Sequence, residues 1–239
     1  MQSKLELIFP KPLMIFDDVL SEETFTTTEK WLREHFLKHG TPDRDQDGPI
    51  GQPWNKSTGH GIGRSTISQT TQKWDPELHM NPEMKNFNTA MLDACKIFAN
   101  EMGYLETADY LFIIDMWALI AGENDFVHQH IHSFSMISGA YYFGAPEDDV
   151  LIFRDFTNVN RVPDEFNSIN ATQKPIPTKK NRLVLFRGDM PHGTLPNPPG
   201  TEKFCVSFNT HFDPSVIFKS KSDFVYSNSN LIPGKSRRA

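Results

Sequence analysis

The segment His128-Gln129-His130-Ile131-His132, followed at close range by Ser138-Gly139-Ala140-Tyr141-Tyr142, decides how this chain is read. Three of its nine histidines stand within five residues, alternating with Gln129 and Ile131. As a strand, a period of two puts all three imidazoles on one face. Neutral imidazole is a preferred ligand for iron, zinc, copper and nickel, so a pair at i, i+2 can grip one ion from one side. The same pattern equally suits a half-solvated polar strand face. The choice depends on what the rest of the chain brings to it.

A chain of 239 residues can bury a sizeable core, and a single domain of that length is ordinary for a β-barrel or sandwich. An apolar fraction of 38% and a mean hydropathy of -0.47 fit a globular protein in water. No apolar run approaches the roughly 20 residues of a membrane span. The stretch from Met1 to Leu13 carries Lys4, Glu6, Pro10 and Pro12 and lacks the apolar core of a signal peptide. Two cysteines, Cys95 and Cys205, are too few for a disulfide framework, so a reducing cytoplasm is the expected compartment. The formal charge of -6 disfavours general nucleic-acid binding, and no membrane partner is expected.

Outward from the histidines, the N-terminal half reads as helical. Leu5 to Phe16 suggests an opening strand with a proline break. Ser21 is placed to cap a helix, with Glu22 and Glu23 in its first turn, where the helix dipole favours negative charge. Phe25, Thr28, Leu32 and Phe36 recur at helical spacing, and Gly40 ends the run. Residues 41–73 are rich in proline, glycine and aspartate; they suit either a lid over a substrate site or a plain surface excursion. The Gly59–Gly63 run has neither dinucleotide spacing nor a P-loop lysine. Asn81-Pro82 opens a second helix whose apolar stripe is Met84, Phe87, Met91, Ala94, Cys95 and Phe98.

From Tyr110 the pattern changes to strands, expected at 110–120, 126–132, 137–144, 149–155, 182–187 and 203–212. Short strands preceded by a helical layer predict a mainly β fold, a sandwich or jelly roll backed by N-terminal helices. One domain is expected over residues 1–218, with a helical and loop part at 1–109 and the β core at 110–218. A basic, serine-rich tail follows at 219–239.

Two further stretches carry chemistry. Asn181 to Phe186 is an apolar strand that runs through Arg187-Gly188-Asp189-Met190-Pro191 to His192. Beyond it, Lys203, Cys205, Ser207, Asn209 and His211 alternate with Phe204, Val206, Phe208, Thr210 and Phe212. The polar set would normally face solvent, but in a barrel with a polar ligand it can face inward.

These segments together resemble the Fe(II)/2-oxoglutarate-dependent dioxygenases, and within them the small bacterial and phage branch related to prolyl hydroxylases. The resemblance rests on thirteen residues from Trp117 to His130, a His-x-His pair, Ser138-Gly139-Ala140-Tyr141-Tyr142, a distal histidine, and a basic residue before Ser207-Phe208-Asn209. It covers roughly residues 110–212 and implies a double-stranded β-helix core of the cupin-like, jelly-roll kind. It assigns His130, His132 and His192 as iron ligands and leaves His128 at the rim. Lys203 stands where arginine normally anchors 2-oxoglutarate, with Arg187 as the fallback. Ser138 and Tyr142 are implied to face the co-substrate, and Ser207 and Asn209 to support the site. His132 departs from the superfamily, which has Asp or Glu at that position. Asp125, Asp155 and Asp189 are the acidic candidates that could restore a carboxylate.

The resemblance implies an Fe(II)/2-oxoglutarate-dependent hydroxylase, with O2 as co-substrate, succinate and CO2 as products, and an unidentified small-molecule or protein substrate. Two alternatives stand beside it: a three-histidine metal dioxygenase that does not use 2-oxoglutarate, and a non-catalytic jelly-roll module with a degenerate metal pocket. Histidine ligands also imply that metal affinity falls below about pH 6.5.

Overall fold

The computed structural model describes residues 11–39, 69–155 and 171–213. Among the described residues, nine strands form two antiparallel sheets: β1 (Leu13–Asp17), β2 (Gln69–Thr70), β3 (Leu111–Ala121), β4 (Ile137–Gly144), β5 (Val150–Arg154), β6 (Gln173–Pro177), β7 (Arg182–Arg187), β8 (His192–Thr194) and β9 (Lys203–Phe212). The larger sheet runs β1-β7-β4-β9-β3-β2 and the smaller β6-β5-β8. Two sheets of antiparallel strands with the order scrambled in this way make the double-stranded β-helix, with α1 (Glu22–His39) and α2 (Lys85–Glu101) behind it.

Alternation within the strands sorts the larger sheet into two faces. Phe204, Val206 and Phe208 of β9, Tyr141 and Phe143 of β4, and Leu183 and Leu185 of β7 pack on the helices. The helices answer with Phe25, Leu32 and Phe36 from α1 and with Met84, Phe87, Met91 and Phe98 from α2 and the turn before it, all buried. The Ser21 hydroxyl accepts the Thr24 amide at 3.2 Å, which caps α1 as its sequence suggests. The Asn81-Pro82 start appears as a 3-10 turn, Pro82–Met84, that leads into α2.

The opposite face carries Trp117, Leu119 and Ala121, Ala140 and Tyr142, Val184 and Phe186, and Cys205, packed toward Leu151 and Phe153 of the smaller sheet. Gly139 sits on β4 because a Cβ there would lie 2.3 Å from the Phe208 ring.

Two expectations are corrected. Residues 126–132 are not a strand. They follow an irregular path with one isolated bridge, His130 to His192. Two short strands, β6 and β8, go unannounced by the sequence, since Pro175 and Pro177 interrupt one and Gly193 lies inside the other. The opening strand is Leu13–Asp17, paired with β7. Gly40, the glycine run at 59–63 and the tail at 219–239 lie outside the described residues, as does most of the 41–73 segment.

Candidate active site

Backbone pairing, not strand parity, brings the histidines together. The His130 amide donates to His192 O at 2.9 Å, and the His192 amide returns the bond to His130 O at 3.0 Å. The His132 amide donates to Gly188 O at 2.8 Å. These contacts need bare backbone opposite. A Cβ on Gly188 would lie 2.6 Å from His132 O, and one on Gly193 would lie 2.8 Å from Val127 O. Glycines on either side of His192 therefore let the 127–135 segment settle against the β7–β8 turn.

The ligand atoms of His130, His132 and His192 all lie within 4.8 Å of one another. The Nε2 atoms of His130 and His132 are 3.0 Å apart. Two ligands at right angles with metal–nitrogen bonds of about 2.1 Å would stand about 3.0 Å apart, so the spacing suits one ion. Each outer nitrogen is tied down. His130 Nδ1 donates to His128 O at 2.8 Å, and His192 Nδ1 donates to Met190 O at 2.8 Å. His132 Nδ1 lies 2.5 Å from Asn209 Oδ1 and 2.9 Å from the Ser138 hydroxyl. A nitrogen facing a carbonyl must carry the proton, which leaves each Nε2 lone pair pointing inward.

Burial keeps all three rings neutral. It pushes His132 down to about 4, with His130 alongside adding to the shift. It lowers His130 as well, and takes His192 well below the usual histidine range. Protons therefore compete for the ligands at lower pH than the unperturbed value near 6.5 implies. His128 contributes its carbonyl to His130, meets the Phe126 ring in a tilted contact at 4.8 Å between ring centroids, and stands outside the cluster.

A cavity of about 440 Å³ opens from the histidines along the inner face of β9. Lys203, Cys205, Ser207 and Asn209 all line it, so the polar alternation of β9 faces inward. At the far end Lys203 Nζ lies 2.6 Å from Asp149 Oδ1, with both side chains almost wholly buried. Tyr142, 2% exposed, lines the same end. Burial, then the nearby Cys205 and Asp149, raise its hydroxyl far above the ordinary tyrosine value, so it stays a hydrogen-bond donor.

The remaining expected residues fall elsewhere. Arg187 is not among the residues that line the cavity, and its guanidinium forks onto Asp189 at 3.0 and 2.6 Å, so it is already engaged elsewhere. Ser138 is fully buried, its hydroxyl engaged with His132, Ser135 and Asn209, so it orients a ring and does not line the cavity. Of the three acidic candidates, Asp125 accepts the Gly122 amide, Asp155 pairs with Lys11 and Asp189 with Arg187. None joins the histidine cluster.

Two residues the sequence reading missed complete the site. Asp149 is the counter-ion of Lys203; a buried lysine needs one, but nothing in Glu147-Asp148-Asp149 says which acid turns inward. Asp115 lines the cavity from β3, opposite Asn209. Burial raises its carboxyl, and a hydrogen bond from Asn209 works against that rise. Its signal would have been an acid inside an otherwise apolar strand.

A family model described as putative 2OG-Fe(II) oxygenase matches residues 115–209, the stretch that holds all three histidines and Lys203. Over that stretch the chain is similar to the 2OG-Fe(II) oxygenases. That family's description names Fe(II) and 2-oxoglutarate, and the histidine cluster offers a donor set that can bind a metal ion. No curated protein matches the sequence. Among solved structures, a Pseudomonas putida prolyl-4-hydroxylase aligns with a TM-score of 0.55 at 14% identity, over 85% of this chain and 94% of that one. HygX from Streptomyces hygroscopicus, solved with nickel and 2-oxoglutarate, aligns at 0.51 and 10% identity, over 85% and 84%. SnoN, a non-heme α-ketoglutarate-dependent epimerase of nogalamycin biosynthesis, aligns at 0.55 and 12% identity, over 95% and 87%. At these identities the likeness concerns the fold. Among the described residues, no helix is long and apolar enough to cross a membrane.

Proposed function

We propose that this oxygenase hydroxylates a C–H bond of its substrate, coupled to oxidative decarboxylation of 2-oxoglutarate. One oxygen atom of O2 enters the product and the other enters succinate, with CO2 released. The observation that carries this reading is a set of three inward Nε2 lone pairs at one end of a cavity that ends on Lys203 and Tyr142. In it, His130, His132 and His192 hold the metal, and Fe(II), when bound, supplies the redox chemistry toward O2.

Three neutral imidazoles leave the ion its full positive charge, where the usual carboxylate would offset one unit. The donor set still suits a first-row metal, because each ring is fixed in its tautomer by an outer acceptor. Lys203 attracts the distal carboxylate of 2-oxoglutarate as a point charge, and the Tyr142 hydroxyl donates to it. Trp117, Leu119, Ala140 and Phe186 line the cavity between the ends and exclude water from it. Thr70 and Gln72, where the 41–73 segment rejoins the described fold, line the same cavity, which supports a role for that segment beside the substrate. Residues 110–218 serve as the catalytic core and 1–109 as its support.

The test is spectroscopic and then chemical. Without O2, Fe(II) and 2-oxoglutarate together should give a visible metal-to-ligand charge-transfer band; admitting O2 should then yield succinate. Metal binding with neither band nor succinate would refute the reading. Lys203→Ala should weaken 2-oxoglutarate binding while leaving Fe(II) affinity nearly intact.

A further inference from the structure

The closed ion pair at the far end of the cavity is the feature that the proposed reaction leaves unexplained. Lys203 and Asp149 side chains are 3% and 4% exposed, and their charged atoms are 2.6 Å apart. Asp149 is held in place from several sides. The Thr178 hydroxyl donates to its Oδ2 at 2.5 Å, and the Thr178 amide donates to its backbone oxygen at 2.9 Å. Its own amide donates to Pro146 O at 3.2 Å, closing a turn in which Asp148 adopts a φ of 63°. That left-handed residue, tolerated by aspartate, turns the chain so that Asp149 faces inward at the head of β5. Both carboxylate oxygens therefore have partners, and one of the three ammonium donors of Lys203 is already used.

We propose that Asp149 is a built-in counter-ion that competes with the co-substrate for Lys203 and thereby sets how strongly the site selects a distal carboxylate. The inference rests on Lys203 as the co-substrate anchor. Before ligand enters, Asp149 lets Lys203 stay charged inside the fold, where an unpaired ammonium would be costly. When a distal carboxylate arrives, one ammonium must serve two anions in a buried space, and their mutual repulsion offsets part of the attraction to Lys203. An arginine fork could offer separate N–H groups to each anion, whereas the compact ammonium cannot spread its charge in that way. Tyr142, which lines the cavity and keeps its hydroxyl neutral, can donate to the second carboxylate without adding charge.

Asp149→Asn keeps the shape and removes the charge: its amide oxygen can face Lys203, while its NH2 can donate to the Thr178 hydroxyl, which can in turn donate to the Asp149 backbone oxygen 3.3 Å away. The experiment compares 2-oxoglutarate with 2-oxopentanoate, which matches its chain but ends in a methyl group. Both are titrated anaerobically into the Fe(II) protein and followed by the charge-transfer band. In Asp149→Asn, 2-oxoglutarate should bind about tenfold tighter, with 2-oxopentanoate unchanged, so that the preference between them grows. A purely structural role would weaken both acids together. Unchanged or weaker 2-oxoglutarate binding in a folded variant overturns the proposal.

Should Asp149→Asn fail to fold, the wild-type protein still decides. A site built for one polar partner rejects the analogue lacking it by roughly 10⁴–10⁵. With Asp149 competing, the wild-type preference should stay below about a hundredfold, and a larger one overturns the proposal. Failure of the anchor itself reads differently: Lys203→Ala would then leave 2-oxoglutarate affinity untouched.

Discussion

Within one cavity, the histidine end and the Lys203 end bury polarity on opposite terms. At the histidine end three side chains are neutral, each outer nitrogen bonded to a fixed acceptor and each inner lone pair left for an ion. At the other end a full positive charge is buried, and the fold supplies its own negative partner at 2.6 Å. The first arrangement is incomplete without a ligand, so metal binding adds interactions at little cost. The second is complete without one, so a co-substrate must share a partner that is already engaged. On the proposals above, affinity is built for the metal and moderated for the co-substrate.

The sharpest way to break the first end is to remove a lone pair. His192→Ala should abolish metal binding at micromolar protein, read by calorimetry with Fe(II) under argon or with Mn(II) in air. Tight binding that survives would mean that the cluster is not the metal site. Gly193→Ala should come next, because it disturbs position without removing a ligand. Its new methyl would sit 2.8 Å from Val127 O, and overpacking of this kind costs about 1–3 kcal/mol. A lowered melting temperature together with weakened metal binding is expected, while a fall in stability alone would show that His130 and His192 do not depend on that contact.

Asn209→Ala is a smaller perturbation of the same end. It removes the oxygen that lies 2.5 Å from His132 Nδ1 and leaves the ring held by Ser138. Loss of an outer partner typically costs about 10–100-fold in metal affinity, and the lower part of that range is expected here because one partner remains. Asn209→Asp should recover affinity by placing a carboxylate against the ring. Equal metal affinity in all three proteins would show that His132 is positioned by packing alone.

How much of this was legible in sequence follows from which contacts are local. The alternation of β9 announced two faces because a strand has a fixed period, and Phe204, Val206 and Phe208 do pack on the helices. The α2 stripe was legible for the same reason. The 126–132 stretch misled because His-x-His spacing in an irregular segment looks the same as in a strand, and its conformation is set by bonds to Gly188 and His192, some sixty residues away. Arg187 misled because strand-end arginines look alike until a neighbour, here Asp189, claims them. Asp149 could not be found in sequence because a counter-ion is defined by distance in space, and the turn that aims it depends on one backbone angle at Asp148.

The pH dependence of the metal-free protein separates the two ends most finely. Burial lowers all three histidines, His132 to about 4, against an unfolded value near 6.5. Below about pH 6.5 the unfolded chain takes up protons that the folded rings refuse, so acid favours unfolding. The histidine contribution to stability is therefore fully present above pH 6.5 and is lost as pH falls from there through about 4. The melting temperature of the metal-free protein should drop over that window. His132→Asn should flatten the slope relative to wild type, since it removes one of the three groups that refuse a proton. Identical slopes for the two proteins would mean that His132 is not held neutral by the fold, and the contrast between a neutral end and a charged end would fail at its centre.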